Sequence, residues 1–324
     1  MSALVAVAAR PTPRRPAVPV LVAALAGAAG LTLVLGLPAD AEVARVVLWE
    51  LRVPRLLLAL LGGAAVGAAG LLMQTALRNP LASPELLGVS TGGALAAAAV
   101  VVWALPVPAA VQPLVALAGA LCGGAICLAA AGAGRGPGAV LLIGAAVSTA
   151  LQAVLLAVLA AADRLQYDTL FRYLVGSLSG VTWAHAQLTL PWLLACVPLT
   201  VLASPALGVL RLGDEAAAAL GLRVGRARLV ALGLAAVLVA AVVGPCGPIA
   251  WIGFVAPHAA RRLRPTADAR LLLPWAAAFG ALFTTVADLA ARHVFAPAET
   301  PLGAWTAAVG IVAGLVMLAR RGRS

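Results

Sequence analysis

Long runs without a single Asp, Glu or Arg alternate along this chain with short segments that gather its charge. The uncharged runs cover residues 16–39, 56–77, 86–134, 136–162, 173–210, 229–260, 271–287 and 300–319. A helix needs about 20 apolar residues to cross a hydrocarbon core, so most runs predict one span. The 86–134 run predicts two, broken near "LPVPAAVQP" at Leu105–Pro113. The 229–260 run predicts one full span and a short one, broken at "GPCGP", Gly244–Pro248. Lengths alone therefore give nine or ten spans. Two connecting segments exceed a tight turn. Pro38–Arg55 predicts a short amphipathic helix leading into the second span, and Asp163–Trp183 predicts another lying on the surface.

Charge decides the count. All of the 22 basic residues are arginine. Arg10, Arg14 and Arg15 precede the first run, and Arg320, Arg321 and Arg323 follow the last. Arginine-rich flanks stay on the cytoplasmic side, so both ends belong inside and the number of spans is even. Ten spans leave only Arg45, Arg52, Arg55, Arg164, Arg172 and Arg292 outside, and the other sixteen arginines inside. The net charge of +11 thus reports membrane topology and gives no reason to expect nucleic acid as a partner. Composition agrees: 63% of residues are hydrophobic and 10% charged, against about 25% charged in soluble domains. The expected fold is an all-α integral membrane protein with ten transmembrane helices and both termini cytoplasmic. It forms one transmembrane domain, 1–324, with a basic tail at 1–17 and a cytoplasmic segment at 211–228. "RPTPRRP" leads into a full-length span without a small-residue cleavage site, so no removable signal is expected.

Small residues crowd the spans, as in "LGGAAVGAAG" at Leu61–Gly70 and "LAGALCGGA" at Leu117–Ala125. They let helices approach backbone to backbone in lipid. Cys122, Cys127, Cys196 and Cys246 form no CxxC pair and read as small apolar filler. Trp49, Trp103, Trp183 and Trp305 fall near predicted outer interfaces, where indole rings anchor.

Candidates for chemistry are sparse. Asp288 lies near the outer end of the ninth span, with Arg292 one helical turn on as an ion-pair partner. His185 starts the sixth span, and His293 and Glu299 fall in an outer loop. Two such residues are a weak metal signal, and no metal site is expected. No HExxH or GxSxG occurs. Ion-coupled carriers usually place ionisable residues inside their spans, and these spans are nearly empty of charge. ATP cannot be used by this chain alone, because a phosphate-binding loop needs a lysine. An ATPase would have to be a separate subunit gripping an inside loop. "GDEAAAALG" offers such a handle: Gly213, Asp214 and Glu215 open a short helix, and Ala219, Leu220 and Gly221 close it.

Four pieces occur in order: "RVPRLLLALLGGAAVGAAGLLMQTALRNPLASPELLGVSTGGA", "LGDEAAAALGLRVGRAR", "GPIAWIGFVAPHAARRL" and "ADLAARHVFAPAETPLGAWTAAVG". From about Val43 to the C-terminus the chain resembles the FecCD-type permease subunits of ABC importers for iron–siderophore complexes, haem and cobalamin. The resemblance implies a second permease subunit (homo- or heterodimer), two ATPase subunits that hold the ATP and Mg, and an extracytoplasmic substrate-binding protein. This chain would bind no cofactor itself. It would lie as a multi-pass protein in the bacterial cytoplasmic membrane, and its substrate would be a metal chelate, with a ferric siderophore first and haem or cobalamin as alternatives.

Carried over by position, Arg52, Arg55 and Arg292 match outer arginines that receive carboxylates of the binding protein. The segment Gly213, Asp214, Glu215, Ala219, Leu220 and Gly221 matches the ATPase-coupling helix. His258, Arg261 and Arg262 in "PHAARR" match an inner-face support. Asn79, Pro80, Pro84 and Gly88 form the family's proline-framed turn between the second and third spans, with Asn79 and Ser83 placed to satisfy freed backbone groups. Trp251 and Ala269 depart from the usual residues. Two readings from other classes stay beside this one: an ion-coupled carrier acting alone, and an intramembrane enzyme using His293, Glu299 or Asp288.

Overall fold

The computed structural model describes residues 17–108, 111–131, 137–266 and 268–321. Arg10, Arg14, Arg15, Arg135 and Arg323 lie outside the described residues, as does the 1–16 part of the expected basic tail. Every regular element among the described residues is helical. In chain order these are α1 (Ala17–Val34), α2 (Ala41–Val46), a π-helical turn (Val47–Arg52) and α3 (Val53–Ala76). A 3-10 turn (Pro84–Leu87) precedes α4 (Val89–Val102), α5 (Gln112–Ala131) and α6 (Pro137–Ala160). There follow α7 (Arg164–Val175), α8 (Trp183–Leu210), α9 (Asp214–Ala219) and α10 (Val224–Cys246). The chain closes with α11 (Ile252–Leu263), α12 (Ala269–His293) and α13 (Leu302–Arg321).

Seven of these stretches are long and apolar enough to cross a membrane, α2 to α3 counting as one continuous rod. Two shorter apolar helices, Val89–Val102 and Leu302–Gly314, accompany them. The amphipathic lead-in expected before the second span exists, but it runs into α3 without a break. The expected break falls within "GPCGP", between α10 and α11. Pro245 is absorbed into the last turn of α10, and the helix stops at Gly247, whose φ is +69°. A helix in lipid tolerates proline when neighbours satisfy the freed groups. It ends here where glycine alone accepts the left-handed backbone. Likewise Pro191, Pro198 and Pro205 lie within α8 without ending it.

α3 is the central rod, packing on α12, α10, α11 and α8. Its glycines make this possible. A side chain at Gly63 would collide with the backbone of Gly280 and with Thr284. One at Gly67 would strike the Ala276 carbonyl, and one at Gly70 would strike Gly253. Helices in lipid gain little from the hydrophobic effect on meeting, so close van der Waals contact has to hold them. The same device joins α4 to α5, where Gly92 faces Gly119 and Gly123. Thr284 and Thr285, both fully buried, return their hydroxyls to the carbonyls of Gly280 and Ala281. The small-residue runs are thus contact surfaces of the bundle core.

Candidate functional site

Two polar clusters mark opposite ends of α3. At its first turn, the Arg55 guanidinium donates from Nε and Nη2 to Asp288 of α12 at 3.0 and 2.9 Å. Its Nη1 donates to Glu299 at 3.1 Å. Ser179, in the segment before α8, donates its hydroxyl to the same Glu299 at 2.9 Å. Asp288 is 2% exposed, and the Arg292 Nε lies 3.6 Å from it, the expected i,i+4 pair. A buried ion is costly unless paired. Here one guanidinium satisfies two carboxylates and fastens α3, α12 and the segments before α8 and α13. Burial pulls the Glu299 carboxyl upward, but Arg55, Ser179 and Arg292 outweigh it and hold it below the usual carboxylate range.

Arg52 is spent differently. It donates to the carbonyls of Leu33 and Leu35 at 2.9 Å and to Gly36 at 2.7 Å. Arg292 adds a bond to the Thr32 carbonyl at 3.1 Å. The last carbonyls of a helix have no partner within it. These two arginines cap the end of α1 from outside. The structure therefore brings Arg52, Arg55 and Arg292 to one rim, as expected, and turns each toward an internal acceptor. Trp183 lies at this end too, its indole donating to the Trp49 carbonyl at 2.9 Å. Glu299 and His293, considered as metal ligands, are not part of any cluster of three His, Cys, Asp or Glu among the described residues.

At the other end of α3, Asp214 opens α9 but does not cap it. Its carboxylate accepts from Arg228 at 2.9 and 3.0 Å and pairs with Arg78 at 3.1 Å. Arg228, at the start of α10, also donates from Nε to the carbonyl of Ala76, the last residue of α3. One carboxylate thus ties α9 to both the α3–α4 turn and α10. Glycines bound α9 as expected: Gly213 has a φ of +107° and Gly221 of +82°. Glu215 and Ala219 are exposed, and Leu220, 66% exposed, presents an apolar side chain to the outside.

The proline-framed turn is ordered by Asn79, whose Oδ1 accepts from the Leu81 amide at 2.9 Å. Ser83 makes no capping bond with its side chain, contrary to its expected role. Pro84 starts the 3-10 turn, and Gly88, φ +69°, bridges it to α4. A side chain on Gly88 would stand 3.2 Å from the Gly123 carbonyl. Pro80 sits between Asn79 and Leu81 within the same turn.

Two residues here escaped the sequence reading. Glu85 accepts from the amide of Trp251 at 3.1 Å, supplying a negative charge to the N-terminus of α11. Trp251 needs that support because its φ of +70° is strained for a residue with a side chain. Gln74, buried within α3, donates to the Gly253 carbonyl and accepts from Arg261 at 2.6 Å. Of the expected inner-face trio, Arg261 therefore supports α3. The His258 ring bonds the Phe254 carbonyl of its own helix, and Arg262 is exposed. A lone acid and a lone amide in otherwise uncharged runs were the available signals.

This is a multi-pass membrane protein with a braced short helix at one end and a buried ion network at the other, the build of a transport subunit. The chain belongs to the FecCD transport family, whose model matches residues 17–321. It is 39% identical over 264 residues to the Fe(3+) dicitrate transport system permease protein FecD of Escherichia coli (strain K12), covering 82% of each chain. It is 36% identical to the ferric enterobactin transport system permease protein FepG of the same organism, covering 86% of this chain and 83% of FepG. It is 37% identical to the hemin transport system permease protein HmuU of Yersinia pestis, covering 81% and 79%. Among solved structures, an inward-facing transporter of metal-chelate ABC type superposes with a TM-score of 0.84. Identity there is 25%, with 94% of this chain and 99% of the other covered. The relatives are permease proteins, so this chain is a transport component and not an enzyme.

Proposed function

We propose that this chain forms one half of the membrane pathway of an ABC importer for a metal chelate, with a ferric siderophore as its substrate class. In this reading it crosses the bacterial cytoplasmic membrane ten times, α11 and α13 completing the spans, with both termini and α9 in the cytoplasm. A second permease subunit covers exposed apolar faces such as Leu142 and Leu156 of α6 and Val312 of α13. Two ATPase subunits, holding the ATP and Mg, receive α9. A binding protein delivers the chelate at the Arg55 end, where Arg52 is the most accessible of the three arginines and Arg55 and Arg292 hold the rim in shape. Alternating access then follows from motion of the ATPases passed through α9.

The observation that carries this reading is the brace on α9. A six-residue helix with an exposed Glu215 and Leu220 is pinned through Asp214 to α3, α10 and the proline-framed turn. A force applied at its exposed face reaches three segments at once. The test is ATPase stimulation in the reconstituted complex with its binding protein and ferric siderophore. Glu215→Arg with Leu220→Arg should abolish stimulation while the permease stays folded. Undiminished stimulation in that double variant rules out α9 as the coupling element. Quenching of the binding protein's fluorescence by haem or cobalamin, but by no ferric siderophore, would replace the substrate class and leave the coupling reading standing.

A further inference from the structure

Between α3, α8, α10 and α12 runs a groove of about 640 Å³, in the size range that encloses a drug-sized molecule. Its wall on α8 extends from Leu190 to Pro205, about 22 Å at 1.5 Å per residue. Its floor includes Leu61 and Ala65 of α3 and Leu238 of α10. The hydroxyls along it are withdrawn. Thr200 bonds the Cys196 carbonyl at 2.7 Å, and Ser204 bonds that of Val201 at 2.6 Å. The walls are therefore effectively hydrocarbon over this length.

One charged residue lines the groove: Arg270, the second residue of α12. It is exposed and takes part in no ion pair among the described residues. Asp268 accepts from the Arg270 backbone amide at 2.9 Å as the helix cap. Its position at the end of a membrane-length helix puts the guanidinium at headgroup level. Along the groove wall, Leu194, Val197, Val201 and Leu202 of α8 are all exposed, so the groove opens to the outside of the bundle.

We propose that the groove binds an acyl chain of an anionic phospholipid from the surrounding bilayer, with the lipid phosphate paired to Arg270. An unpaired guanidinium at the mouth of an apolar slot matches a phosphate attached to a hydrocarbon chain. Arginine binds phosphate bidentately, with geometric preference as well as charge. A polar chelate finds no partners along these walls, which separates the groove from any substrate pathway.

The test uses the full-length permease, delipidated in detergent and titrated with dioleoyl phosphatidylglycerol or dioleoyl phosphatidylcholine, with retained lipid read by native mass spectrometry. Both lipids carry a phosphate, but the choline cation offsets its charge in phosphatidylcholine, so the wild type should retain phosphatidylglycerol about tenfold more tightly. Arg270→Gln should remove that preference and Arg270→Lys should keep part of it. Ala277→Phe, which fills the groove, should weaken both lipids. Equal retention of the two lipids by the wild type overturns the proposal, as does a preference that survives Arg270→Gln. A disulfide between two copies through Leu194→Cys, in a Cys122→Ser background, would show that a second permease covers the groove and would equally overturn it. Arg270→Gln lies on the surface, so the central comparison survives if Ala277→Phe fails to fold.

Discussion

Replacing Asp288 by leucine removes the carboxylate that binds Arg55 through two nitrogens, at 3.0 and 2.9 Å. Arg55, 12% exposed, is left with Glu299 alone. Replacing Arg55 by leucine instead leaves Asp288, 2% exposed, with only the Arg292 Nε at 3.6 Å. Breaking a buried pair from one side costs about 3–5 kcal/mol, because an uncompensated charge remains. Removing both partners removes the charge that each would orphan in the other, and leaves Glu299, 36% exposed, with Ser179 and Arg292 with the Thr32 carbonyl. The double variant should therefore cost clearly less than the sum of the single ones, with a coupling of about 3 kcal/mol between the two sites. The assay is equilibrium unfolding in detergent, followed by a thiol-reactive dye. Cys127, Cys196 and Cys246 are buried and Cys122 is exposed, so a Cys122→Ser background makes labelling report unfolding. If the double variant costs the sum of the single ones to within about 0.5 kcal/mol, the two groups are independent and the network does not hold α3 to α12.

Glu299 gives a pH signature at the same site. Its carboxyl is held below the usual range in the folded protein, so its contribution is complete above the ordinary glutamate value near 4.3. In the window below that value the unfolded chain binds the proton first, and the contribution is lost as pH falls through the depressed folded value. The stability gap between wild type and Glu299→Gln should shrink on acidification through this window; a gap that widens contradicts the assignment. At the other end, Asp214→Arg should destabilise the permease itself, since it places a third guanidinium beside Arg78 and Arg228, whereas Glu215→Arg should leave unfolding unchanged. Gly280→Leu should prevent assembly of α3 on α12, because no side chain fits against the Gly63 backbone, while Gly233→Leu, whose Cβ would meet nothing within 4 Å, should be tolerated in the same unfolding assay.

What the sequence made legible was what neighbouring residues decide. The α9 helix was readable because Gly213 and Gly221 frame a run of alanines. The uncharged runs located the long helices, and the glycine clusters located their contacts. The α10 boundary was legible to within "GPCGP", although the stop itself depends on Gly247 and not on Pro245. Targets of side chains were the least accessible. Arg52, Arg55 and Arg292 were placed on one rim by topology, yet nothing local says that Arg52 reaches back to the end of α1, or that Arg55 finds Asp288 at a separation of 233 residues. Glu85 and Gln74 were invisible for the same reason: their partners, Trp251 and Arg261, belong to a helix far along the chain. Asp214 stands out in the sequence at the start of α9, but the sequence does not tell that its carboxylate pairs with Arg78 and Arg228 of its own subunit.

That separation of 233 residues also fixes an order of events during synthesis. Chains emerge from the ribosome at about 5–20 residues per second, so Arg55 waits roughly 10–50 s for Asp288. Throughout that interval α3 is present in the membrane with an arginine that has no carboxylate to meet. Arg55 is in the first turn of α3, where a long side chain can reach the interface and keep its charge hydrated until α12 arrives. Arg292 likewise reaches the end of α1 only after nearly the whole protein has been made. The end of α1 is thus fastened in two stages, first by Arg52 and last by Arg292. Nascent chains released before Asp288 should be cleared faster by membrane proteases than chains released after Glu299; equal lifetimes would show that the early helices need no such closure.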